Sequence, residues 1–123
     1  MDVKAGQVYK SFRSDIFPPK EKYQLYFDDK TVLLINTEKS KRNVSVYLKK
    51  EECSLLDYDS YICIDNIFKF EPQYKILNVV DISTSALLKL KSMINVSSTM
   101  PKVHIKKIEE AITQIIASRE SLD

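Results

Sequence analysis

The sequence predicts an α+β fold: a small curled antiparallel sheet or barrel from residues 1–80, backed by two helices within residues 83–120. Two observations carry this. Short runs with a period of two, or with continuous β-branched and leucine content, fill the first two thirds of the chain. Near Ser83 the spacing of apolar residues changes to three and four. A third observation constrains the turns. Gly6 is the one glycine, so turns must be built from Asn, Asp, Ser, Pro and Lys.

Gln7, Val8 and Tyr9 read as a first short strand after Gly6. Residues 10–20 read as a loop closed by Pro18 and Pro19, carrying Arg13, Asp15 and the apolar pair Ile16 and Phe17. Residues 23–27 alternate as a second strand, and Asp28, Asp29 and Lys30 make a turn. Residues 31–36, TVLLIN, predict a strand buried on both faces. A charged loop spans 38–43. Val44, Val46 and Leu48 then alternate with Ser45 and Tyr47 as a half-buried strand. One helical turn is expected within 50–56.

Residues 61–64 and 67–70 are two strand pieces around Asp65 and Asn66. A strand needs no carboxylate at its centre. Both residues tolerate unusual backbone angles and bond locally, so the pair marks a bend, a bulge or a site. Pro72 breaks the pattern, and residues 75–80 add a last strand. Ser83, Thr84 and Ser85 offer N-cap hydroxyls before a helix carrying Leu87, Leu88, Leu90, Met93 and Ile94. Ser97, Ser98 and Thr99 cap again, and Pro101 suits a helix start. Ile105, Ile108, Ile112, Ile115 and Ile116 then give an amphipathic helix of about five turns.

With 123 residues, 44% of them apolar and 29% charged, a single domain over 1–123 with its own core is expected. One glycine excludes a glycine-rich phosphate loop. A formal charge of +2 does not by itself argue for nucleic acid. The basic cluster of Lys39, Lys41, Arg42, Lys49 and Lys50 reads as a solvated face, with phosphate binding as the alternative. Cys53 and Cys63 have too few companions for a metal site, so no metal or cofactor is expected. The polar opening and the lack of any apolar run near ~20 residues predict a cytoplasmic, reduced protein with no membrane span.

Four short motifs, with the ending Ile76-Leu77 and a helix, resemble those of a known family. Gly6-Gln7-Val8-Tyr9 resembles its G-[DE]-[IV]-[WY] opening strand. Residues 23–27 and 32–37 (VLLINT) resemble its next paired strands, the second ending in Thr. Tyr58-Asp59-Ser60-Tyr61 resembles its xDSxV entry, and residues 65–70 (DNIFKF) its D-Q-[IP]-R strand. In this order, over roughly residues 5–117, the chain resembles the MazF/PemK (Kid) toxin ribonucleases, an SH3-like small barrel shared with CcdB.

The resemblance implies a metal-independent endoribonuclease that cleaves single-stranded RNA through its own 2′-hydroxyl. It also implies a homodimer, an antitoxin peptide over the RNA groove, and no cofactor. The site would need a base, an acid and donors for the charge on phosphorus. Asp65 is then the candidate base, Thr37 the hydroxyl partner, and Lys22 or Arg13 the cation. Lys10, Phe17, Lys20 and Tyr23 would bind RNA by charge and stacking. The chain departs from the family at its best phosphate ligand. Lys22-Tyr23 stands where the family has Arg-Pro, and lysine lacks the planar fork that clamps a phosphate. Cys63 stands where some members carry a second arginine. The single histidine, His104, falls on the edge of the last helix. The alternatives are a non-enzymatic, phage- or plasmid-encoded interaction module on the same fold, and a nucleic-acid-binding barrel that does not cleave.

Overall fold

Strand after strand and then two helices follow along the chain, in the order the change of period requires. A computed structural model describes residues 2–13, 20–39, 44–97 and 99–121. The strands are β1 (Gln7–Arg13), β2 (Lys20–Asp28), β3 (Thr31–Asn36), β4 (Ser45–Leu48), β5 (Ser60–Cys63) and β6 (Lys75–Asp81). The helices are α1 (Thr84–Met93) and α2 (Lys102–Glu120). A single 3-10 turn, Lys50–Glu52, stands where one helical turn was expected.

All six strands join one antiparallel sheet in the order β4-β5-β3-β2-β1-β6. Among the described residues β4 and β6 do not pair, so the sheet is open where a closed barrel was one expectation. A physical reason lies at the β4 edge. The Lys89 ammonium of α1 donates to the Tyr47 carbonyl at 2.8 Å and occupies the backbone group that a closing strand would need.

Two expectations are corrected. The loop at 10–20 is shorter, because β1 continues to Arg13 and β2 begins at Lys20. Cross-strand pairing decides this: Lys10 bonds Glu21 at 3.1 Å and lies 5.7 Å from the Tyr23 ring. Residues 14–19, including Ile16 and Phe17, lie outside the described residues. The strand piece at 67–70 is reduced to a bridge. Phe68 and Val32 exchange two backbone bonds of 2.9 Å, and Phe70 donates to the Asp29 carbonyl at 2.8 Å. The cause is the Asp65-Asn66 interruption. β5 pairs Ile62 with Ile35 of β3, and three residues of β3 further on Val32 meets Phe68, so the intervening chain bulges out.

One face of the sheet carries Val8, Leu25, Leu33, Ile35, Ile62, Val46 and Leu48, and both helices pack on it. β3 is buried on both faces as expected, with Val32 and Leu33 fully covered. On the second face Phe70 meets Tyr9 and Tyr26 edge-on, at 5.7 and 5.6 Å. Ser83 caps α1 by accepting the Ala86 amide at 3.1 Å. Ala86, Leu87 and Leu90 then face the core at helical spacing. Pro101 precedes α2, which buries Ile105, Ile108 and Ile112 and half-buries Ile115 and Ile116. Gly6 adopts φ 85°, and a Cβ there would lie 2.9 Å from Ile115 Cδ1. The only glycine thus serves a left-handed turn and a close helix approach at once.

Helix α1 is tied to the turn after β4 through Glu52. Its carboxylate accepts the Lys89 ammonium at 2.6 Å, the Ser85 hydroxyl at 2.8 Å and the Lys49 amide at 3.0 Å. Burial acts to raise this carboxyl, and Lys89, the Lys49 amide and Ser85 outweigh it, so Glu52 titrates below its ordinary 4.5. The folded state therefore holds the proton less tightly than the unfolded chain. Stability from this contact is complete above the ordinary value and is lost as pH falls through the lowered one. Urea unfolding between about pH 6 and pH 3 should show this loss, and Glu52→Gln should flatten it. An acid limb unchanged by the substitution would assign the loss to other carboxylates.

Candidate functional site

The residues expected to form a site fall into separate groups. At one end of the sheet Arg13 pairs with Lys20 on the last rung of the β1–β2 hairpin, and Ser11 pairs with Lys22. Tyr23 pairs with Ile35, so Lys22 and Asn36 occupy the next positions of β2 and β3. Thr37 follows directly and is exposed. With Asn36, Glu38 and Lys39 it lines a shallow depression of about 370 Å³. The chain therefore brings the backbone positions of Arg13, Lys20, Lys22 and Thr37 to one end of the sheet.

The strand pleat divides this group. Lys10 and Tyr23 are register partners beside the core pair Val8 and Leu25, on the helix-bearing face. Ser11 and Lys22 point to the second face by alternation. Lys10 is also engaged. Its bond to Glu21 is the main reason its ammonium titrates above the ordinary lysine range. Tyr23 packs half-buried against the core. Phe17 lies outside the described residues.

Asp65 belongs elsewhere. It lies beyond the far end of β5, while Thr37 lies past the Asn36–Tyr61 pair at the near end. That separation is roughly 13 Å along the strand direction. One carboxylate oxygen of Asp65 accepts the Val44 amide, and the other accepts the Ser97 hydroxyl at 3.0 Å. Ser97 in turn accepts the Met100 amide at 3.1 Å, and Thr99 donates to the Asp65 carbonyl at 2.7 Å. Asp65 thus fastens the start of β4 and the α1–α2 connection to the bulge. Ser97 and Thr99 had been read only as a helix cap, and their part in holding Asp65 had no sequence signal beyond polar side chains in a connection.

Other singled-out residues have ordinary settings. Cys63 is buried and accepts from the Asn36 amide nitrogen at 3.2 Å. Burial raises its thiol pKa, and that of Cys53, so neither is a reactive thiolate. His104 is half-buried near the start of α2, beside Asp65, Lys30 and Lys69. Among the described residues no group of His, Cys, Asp and Glu could hold a metal, and no helix is long and apolar enough to cross a membrane.

A cluster that sequence reasoning missed lies on the second face at the β4 edge. Tyr47 and Tyr61 stack at 5.5 Å. The Tyr47 hydroxyl donates to Asp59 at 2.7 Å, and Asp59 also accepts the Lys50 amide at 2.9 Å. The register Tyr47 to Tyr61 produces this stack, and no pattern in either strand alone announces it.

No family model, curated protein or solved structure matches the chain.

Proposed function

We propose that this chain is a divergent MazF/PemK-like protein of a toxin–antitoxin or mobile-element system, acting as an interaction module rather than as a ribonuclease. The observation that carries the reading is the use of Asp65. A general base needs a lone pair aimed at the proton it removes. Both Asp65 oxygens instead hold Val44 and Ser97, far along the sheet from Thr37. Lys22 adds a charge but no bidentate fork. The open sheet, interrupted at Asp65 and rejoined at Phe68, is a splayed form of the SH3-like barrel in this reading. The protein is a cytoplasmic homodimer that binds an antitoxin-like or inhibited protein partner, without metal or cofactor.

RNA binding without cleavage is the second reading. It is favoured by the cationic positions Arg13, Lys20 and Lys22 gathered at the Thr37 end. Its sign is affinity for single-stranded RNA that falls steeply with salt.

The deciding experiment is induced expression, with growth followed and primer extension run on a cellular RNA. The parent and a Lys22→Arg variant, both shown to be folded, should leave RNA intact. Lys22→Arg restores the guanidinium of the family, so cleavage by that variant would mark Lys22 as a degraded catalytic residue. Cleavage by the parent, lost in Thr37→Ala by about 10²–10³-fold, would overturn the proposal in favour of the ribonuclease.

A further inference from the structure

The first two turns of α2 break a local rule. Helix N-termini favour acidic side chains, because the first amides leave a partial positive charge there. Residues 102–107 read Lys-Val-His-Ile-Lys-Lys, with no acidic residue in the first turn. Pro101 precedes them and supplies no capping side chain. Lysines in these places work against the helix, and folded proteins tend to accept such local conflicts at functional surfaces. Two open depressions flank this helix start and share Thr99 and Pro101 as their common rim. One, of about 750 Å³, is lined by the buried Met100 and Ile105 together with Lys102 and Lys106. The other, of about 490 Å³, holds Ile67 and Phe68 beside Lys30 and Lys69. Lys30, Lys69, Lys102 and Lys106 are exposed, and among the described residues none has a partner for its ammonium. Lys107, by contrast, is paired with Asp28. Against these four charges stand Asp65 and Glu109 in the same linings, so the surface stays positive. Phe68 and Val103 are exposed apolar side chains beside these unpaired cations.

We infer that this surface docks an acidic segment of another protein, with carboxylates on the four lysines and apolar side chains in the two depressions. Charge complementarity calls for an acidic occupant. The lining favours a protein over a nucleic acid. Single strands are held by rings stacked beside cations. Here the rings, Phe68 and His104, are confined to the second depression, whereas Met100, Ile105 and Pro101 line the first. The cations are lysines, which lack the planar fork that clamps a phosphate. In the interaction-module reading, on which this rests, the helix start is the docking surface for the partner. It lies at the Asp65 end of the sheet, apart from the Thr37 end where the resemblance places RNA and an antitoxin.

Amide NMR of the full chain, titrated at low salt with a short peptide of glutamates and leucines, tests it. The peptide should shift the amides of Lys69, Thr99, Lys102 and Lys106, with a dissociation constant below about 1 mM. The same peptide with glutamine in place of glutamate should bind roughly tenfold more weakly or worse. Lys69→Glu with Lys102→Glu should weaken the acidic peptide by about tenfold or more. Lys4→Glu, at a separate depression beside Asp81 and Arg119, should not. Lys102→Glu alone should raise the melting midpoint by about 1–4 °C, because it puts an acid where the helix favours one. A firmer fold with weaker binding separates a docking lysine from a structural one. The inference is overturned if the acidic peptide leaves these amides unmoved, or if the glutamine peptide binds as tightly. It is also overturned if Lys4→Glu weakens binding equally, if Lys102→Glu lowers the midpoint, or if an oligouridylate of equal charge binds here more tightly than the peptide. Cleavage in the expression test strikes the module reading alone, since these measurements report binding at α2 and not at the Thr37 end.

Discussion

Ile112→Ala should lower the unfolding free energy by about 2–5 kcal/mol, the usual cost of emptying a fully buried isoleucine site. Ile112 has no exposed surface, and it sits with Ile105 and Ile108 on the stripe that docks α2 over the sheet. Ile112 belongs to one buried cluster with residues of the sheet and of α1, whose positions are set by their own elements, so the space can be refilled only in part. A domain of this size loses roughly 4 °C of melting temperature per kcal/mol, so the midpoint should fall by about 8–20 °C. Lys107→Ala is the control. Lys107 bonds Asp28 at 2.6 Å, but both side chains are well exposed, and exposed ion pairs are worth about 0–1 kcal/mol. Thermal unfolding of both variants checks the result. Similar small shifts from each would mean that α2 does not dock through its isoleucine stripe.

Asp65→Ala should cost about 1–3 kcal/mol, because two part-buried donors depend on this carboxylate and a buried donor left without its acceptor loses about that much. The donors are the Val44 amide and the hydroxyl of Ser97, itself 8% exposed. Loss of the first frees the start of β4, and loss of the second loosens the α1–α2 connection. Asp65→Asn keeps an acceptor oxygen for one of the two and should cost clearly less. Urea unfolding separates the pair. If the two substitutions cost the same and little, Asp65 is not an anchor, and its carboxylate is free for the chemistry that the family resemblance implies.

These two residues also show what could be read from one dimension. Ile112 was legible because helix docking depends on a local period, and five isoleucines at three- and four-residue spacing leave one apolar stripe. The Ser83 cap, the turn at Asp28–Lys30 and the doubly buried β3 were legible for the same reason: each rests on neighbours in the chain. Asp65 was legible as an interruption in a strand, but its partners were not. Val44 lies 21 residues before it and Ser97 32 residues after it.

Pairings across such distances depend on which strands become neighbours, and hydrophobic periodicity does not encode that choice. The hairpin reaching Arg13 and Lys20 shows the same limit, since residues 10–13 look like a loop until Tyr23 stands opposite Lys10 and Glu21 bonds it diagonally. The open sheet was likewise settled in three dimensions. Local pattern specified strand segments through residue 80, one of which became an isolated bridge at Phe68, and two helices after Ser83. Long-range contacts decided the rest: Lys89 of α1 closes the β4 edge, β6 keeps its edge open, and Asp65 holds a bulge to a helix connection instead of facing Thr37.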